Sequence, residues 1–66
     1  MEKIYSRLAQ KFTRAYSNLP IKIRDEIVAV VNGEPISWKI AYAEITNGTE
    51  LGERILKTLK KLGIID

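Results

Sequence analysis

Four basic residues, Lys3, Arg7, Lys11 and Arg14, recur every three or four positions near the amino terminus, the spacing that gathers side chains on one helix face. Chemistry of that kind tracks phosphates: each cation neutralises a backbone charge and releases a counterion, with no selection among bases. An ordinary solvated helix face has the same pattern and is the commoner case. Trp38 and Tyr42 are the second candidate set. Large, rigid aromatic side chains serve as anchors for a protein partner, but a tryptophan at the start of a helix is more commonly the plug that closes a core.

Catalysis is poorly served. The chain has neither histidine nor cysteine, so a general base or nucleophile would have to be a carboxylate, lysine, tyrosine or serine hydroxyl. Asp25-Glu26 is the only adjacent acidic pair, and its position where an element starts reads as a solvated turn. Neither a glycine-rich phosphate loop nor an oxygen-rich metal loop is present. The expectation is a protein that is not an enzyme, with no catalytic residue, no cofactor and no metal ligand.

The elements that must position these residues are few, because 66 residues make one small domain. A chain of this size buries only about 60% of its unfolded surface. Without cysteine or histidine, neither disulfides nor the usual zinc sites can add stability. Ideal packing or oligomerisation remains, and a homodimer is expected. The longest apolar run, Ile27 to Val31, is far short of a membrane span, and MEKIYSRLAQ contains no signal-peptide apolar region. No membrane role is expected, and the expected location is the cytoplasm.

The net charge of +3 conceals a segregation. Residues 1–24 carry six basic side chains against Glu2, residues 25–53 carry Lys39 against six acids, and residues 54–66 carry four basic side chains against Asp66. Basic ends and an acidic middle can complement each other, within a molecule or across a dimer, before any polyanion is needed.

Residues 2–18 read as an amphipathic helix, with Ile4, Leu8, Phe12, Ala15, Tyr16 and Leu19 at helical spacing and Tyr5 and Ala9 beside them. Tyr5 and Tyr16 are expected at the core margin. Asn18-Leu19-Pro20 ends the helix. Residues 21–36 support two readings. Asn32-Gly33 between β-branched residues signals a hairpin, with a strand at about 26–31 and a short return through Ile36 that Pro35 confines to a sheet edge. Alternatively, Ile23, Ile27, Val30 and Val31 also fit helical spacing, with Pro20 opening a helix and Asn32-Gly33 closing it. The strand-forming run Ile27–Val31 favours the hairpin.

Ser37 caps a short helix whose buried face is Trp38, Ala41, Tyr42 and Ile45, with Ile40 and Ala43 forming a second apolar edge that calls for contact on two sides. After an Asn47-Gly48-Thr49 corner, Thr49 caps the last helix, and Gly63 stands just past its end. Glu50 and Glu53 lie at its positive end, and Lys57, Lys60 and Lys61 at its negative end. Leu51, Ile55, Leu59 and Leu62, widened by Leu56, predict its buried stripe. Gly52 sits on the margin of that stripe, either to admit a neighbouring element or merely tolerated in the first turn.

Helix, glycine-containing corner and helix is also the outline of a helix-turn-helix. There the start of the second helix would meet DNA, but here it presents Glu50 and Glu53, which phosphates repel. A nucleic-acid surface would instead be the first helix, or the Arg54, Lys57, Lys60 and Lys61 end of the last.

The run IRDEIVAVVNGEPISWKIAYAEITNGTELGERILKTLKKLGII resembles a class of short uncharacterised proteins of hyperthermophilic archaea, over about residues 20–65. The shared features are a turn followed by Ser-Trp, then Thr-Glu-Leu-Gly, then a Leu/Lys-rich end. No activity and no residue role comes with that resemblance. The sequence therefore predicts an α+β domain of helix, β-hairpin, helix and helix, with an all-α four-helix arrangement as the alternative. The function expected is a homodimeric interaction or regulatory module that binds itself and another protein. Nucleic-acid binding is the second reading.

Overall fold

In the computed structural model, which describes the backbone of residues 2–65 and the side chains of residues 6–65, Asn32 and Gly33 have φ of 55° and 80°. Positive φ at both central positions makes the turn type I′, whose twist matches the strands it joins. The hairpin therefore forms, β1 (Ile27–Val31) pairing antiparallel with β2 (Glu34–Ser37), and the four-helix alternative does not. The helical signal at Pro20 is nevertheless real. It opens a short 3-10 turn, Ile21–Asp25, which stops before the β-branched run.

Register in the hairpin decides which apolar residues face the core. Val31 opposes Glu34, Val30 opposes Pro35, Ala29 opposes Ile36, and Ile27 opposes Ser37. Val28 is the extra residue of a bulge, which shifts the alternation of faces. Ala29, Val31 and Ile36 are buried, whereas Val30 and Ile27 lie outward.

Around the hairpin pack α1 (Glu2–Ser17), α2 (Trp38–Thr46) and α3 (Glu50–Lys61). The core joins Leu8 and Phe12 of α1, the three inward hairpin residues, Ala41 and Ile45 of α2, and Ile55, Leu56 and Leu59 of α3. Leu62 does not extend the α3 stripe. It is 60% exposed, because it is the C-cap of α3 and the chain turns there through Gly63 at φ 78°. The Gly63 N–H bonds the Lys60 carbonyl and the Ile64 N–H bonds that of Leu59, which is a Schellman motif. That turn carries Ile65 back into the core in place of Leu62.

The same motif closes α2. Gly48 N–H reaches the Ile45 carbonyl and Thr49 N–H that of Glu44, with Gly48 at φ 66°. Thr49 is thus the last residue of one motif and the N-cap of the next helix. Its hydroxyl accepts from Gly52 N–H at 2.9 Å and donates to Glu44. Ser37 caps α2 more simply, accepting from Ile40 N–H at 3.1 Å. Ser37→Ala is expected to remove about 1 kcal/mol, and Thr49→Ala more, towards about 2 kcal/mol. In a domain of this size each 1 kcal/mol is read as a fall of about 4–8 °C in Tm. Equal shifts in two thermal melts would show that the bond to Glu44 contributes nothing.

Candidate protein-interaction surface

Phe12 and Tyr16 are four residues apart on α1, and Trp38 and Tyr42 four apart on α2, so each pair shares a helix face. Packing α1 against α2 brings the two pairs together as a ladder. The Phe12 ring stacks on Trp38 at 5.7 Å between centroids and on Tyr16 at 6.1 Å. Tyr16 stacks on Tyr42 at 4.3 Å with 13° between planes. Such pairs contribute about 0.5–1.5 kcal/mol each beyond the area they bury.

Arg24, from the 3-10 turn, extends the ladder, its guanidinium lying 4.5 Å from the Tyr16 ring centroid. A cation over an aromatic face gains about 0.5–1 kcal/mol when exposed and more when dry. Arg24 Nε is buried without a hydrogen-bond partner among the described residues. Nearby, Lys39 Nζ lies 3.3 Å from Asp25 and ties α2 to the 3-10 turn, an exposed pair of small energetic weight.

The ladder is only partly enclosed. Phe12 is fully buried, whereas Trp38, Tyr42, Tyr16 and Arg24 are half-buried, which leaves an aromatic rim at the surface. Trp38 packs against the core and serves as its plug, and it still keeps exposed area. Tyr16 stands at the core margin, as its place on the helix predicts. Arg24 and the stacking role of Tyr16 were not evident from sequence. The paired four-residue spacings 12/16 and 38/42 were the available signal, but nothing local announces that the two helices meet along them. The second apolar edge of α2 is uncovered within one chain: Ile40 is 47% exposed and Ala43 is exposed.

Arg7, Lys11 and Arg14 are exposed along α1, beside a shallow open depression that Ala9, Thr13 and Ser17 help to line. The Lys3 side chain, like those of Ile4 and Tyr5, lies outside the described residues. At the start of α3, Glu50 pairs with Arg54 at 3.3 Å and Glu53 with Lys57 at 3.7 Å, both on the exposed face of the helix. Among the described residues no three of His, Cys, Asp or Glu gather where they could hold a metal ion. No described helix is long and apolar enough to cross a membrane.

Fold and surface together define a small α+β domain with a half-open aromatic ladder. No family model, curated protein or solved structure matches the chain.

Proposed function

We propose that this chain is a non-enzymatic interaction or regulatory module, homodimeric, that binds a second protein through the rim of Trp38, Tyr42, Tyr16 and Arg24. The observation that carries the reading is the half-buried ladder. Tryptophan, tyrosine and arginine are the residue types that concentrate binding energy, and rings already stacked lose little freedom when a partner covers them. The expected compartment is the reducing cytoplasm, which the absence of cysteine fits.

Immobilised chain is expected to retain a protein that the Tyr42→Ala variant does not retain and Tyr42→Phe does. Light scattering at low and high salt is expected to give a mass of two chains in both. A mass of one chain would remove the homodimeric part of the reading.

The exposed Arg7, Lys11 and Arg14 face supports a second reading, nucleic-acid binding, which the same protein can test. A labelled duplex and a labelled single strand are expected to stay free even at low salt. Binding that weakens steeply with salt and vanishes in the Arg7→Glu, Arg14→Glu double variant would replace the protein-binding reading.

A further inference from the structure

The chain has three asparagines, Asn18, Asn32 and Asn47, and the last two each precede a glycine. An asparagine-glycine pair can convert itself in water. The glycine nitrogen loses its proton and attacks the asparagine Cγ; a C–N bond forms, the side-chain nitrogen leaves as ammonia, and a succinimide ring results. Water then adds to one ring carbonyl and breaks its bond to nitrogen. Opening at Cγ gives aspartate, and opening at the backbone carbonyl gives isoaspartate, whose chain runs through Cβ. Water is the only co-reactant. By sequence the two pairs are equivalent, but the fold treats them differently.

The attacking nitrogens differ first. Gly48 N–H donates to the Ile45 carbonyl at 3.1 Å, a bond that holds its proton in place. Gly33 N–H makes no hydrogen bond among the described residues, so nothing of that kind opposes its ionisation. The asparagine torsions differ too. Asn47 rests at φ −86° and ψ −3°, ordinary helical values, whereas Asn32 is held at φ 55°, which a residue with a Cβ leaves readily once released.

Ring closure also requires the backbone at the asparagine to rotate. At Asn47 that movement breaks the Gly48 bond together with Asn47 N–H to Ala43 and Thr49 N–H to Glu44, at 3.1 and 3.2 Å, in the corner that joins α2 to α3. At Asn32 it opens an exposed hairpin tip closed by the Val31 and Glu34 pair. Asn18 is the internal control, because the Leu19 side chain crowds the attacking nitrogen and Leu19 N–H bonds the Tyr16 carbonyl at 3.1 Å.

We infer that Asn32-Gly33 is a site of spontaneous self-modification in the folded protein, and that the fold protects Asn47-Gly48. The product matters to the fold. Isoaspartate adds a backbone carbon to a two-residue turn whose geometry sets the register, and that register keeps Ala29, Val31 and Ile36 inward. The new carboxylate also lowers the net charge of +3 by one. Conversion is one-way, so the turn records the age of the molecule.

The inference is independent of any binding partner. Purified chain is incubated in warm, mildly alkaline buffer, folded or in concentrated urea, and each asparagine is followed by peptide mapping, with isoaspartate detected by enzymatic methylation. In urea the two asparagine-glycine pairs are expected to convert at similar rates. In the folded chain Asn32 is expected to convert at least about tenfold faster than Asn47, with Asn18 intact. Asn32→Gly, which keeps a turn-forming pair, should abolish the modification, and the converted chain should unfold at lower urea than the fresh one. Folded chain in which Asn47 converts as fast as Asn32, or in which neither converts while the urea sample is consumed, overturns the inference.

Discussion

Phe12→Ala is expected to leave the chain largely unfolded at 25 °C. Phe12 is fully buried, stacks on both Tyr16 and Trp38, and belongs to the core cluster that α1 shares with the hairpin, α2 and α3. Truncating a buried phenylalanine to alanine costs about 3–5 kcal/mol, the sum of lost transfer energy and the cavity left behind. A core in this size class supplies about 3–5 kcal/mol in total, so the loss matches the whole. Trp38 is the only tryptophan and stacks on Phe12, so its fluorescence in a urea titration reports the change directly. Phe12→Leu keeps most of the volume and is expected to remain folded with a lower midpoint. Native-like cooperative unfolding of Phe12→Ala would mean that α1 contributes little to the core.

Gly52→Ala has the second largest expected effect, and its sign is the informative part. In a helix interior alanine is favoured over glycine by about 1 kcal/mol, so propensity alone predicts a more stable protein. At this position, however, a Cβ would lie 2.5 Å from the Glu44 carbonyl oxygen, 2.7 Å from its carbon and 2.9 Å from the Ile45 nitrogen. These are backbone atoms of α2 and cannot rotate away. The Glu44 carbonyl also receives the Thr49 N–H at 3.2 Å and the Thr49 hydroxyl at 3.3 Å, so moving it disturbs the closing turn of α2.

Overpacking of this kind costs about 1–3 kcal/mol, occasionally more, and with the corner strained as well a net loss of about 2 kcal/mol is expected. Chemical denaturation of the two proteins measures it. A stabilised Gly52→Ala would mean that the helices separate at no cost and that the close approach is incidental. Of the two sequence readings of Gly52, the geometry supports the one in which the missing side chain admits a neighbour.

Much of this architecture was legible because its signals are local. Asn32-Gly33 specifies a turn that almost no other pair adopts as readily, and Ser37 and Thr49 bond amides three residues away. Gly63 takes a positive φ that other residues resist. Leu62 was misplaced for a related reason. Helical periodicity continues through it, but the glycine that follows redirects the chain, and Ile65 enters the core instead.

The candidate surface was legible only in part. Trp38 and Tyr42 stand out by type alone, but Arg24 looks like any surface arginine until the 3-10 turn sets it over Tyr16.

The sequence by itself determined the order of elements, their caps and most of the residues that turn inward, because each follows from torsional preference, hydrogen bonding or periodicity within a few residues. Only the tertiary structure decided that α1 and α2 meet along their aromatic faces, that α3 rests backbone to backbone on α2 at Gly52, and that a bulge at Val28 turns Ile27 outward. Those outcomes depend on which surfaces fill one shared volume. Packing is settled among residues far apart in the chain, where no local preference acts.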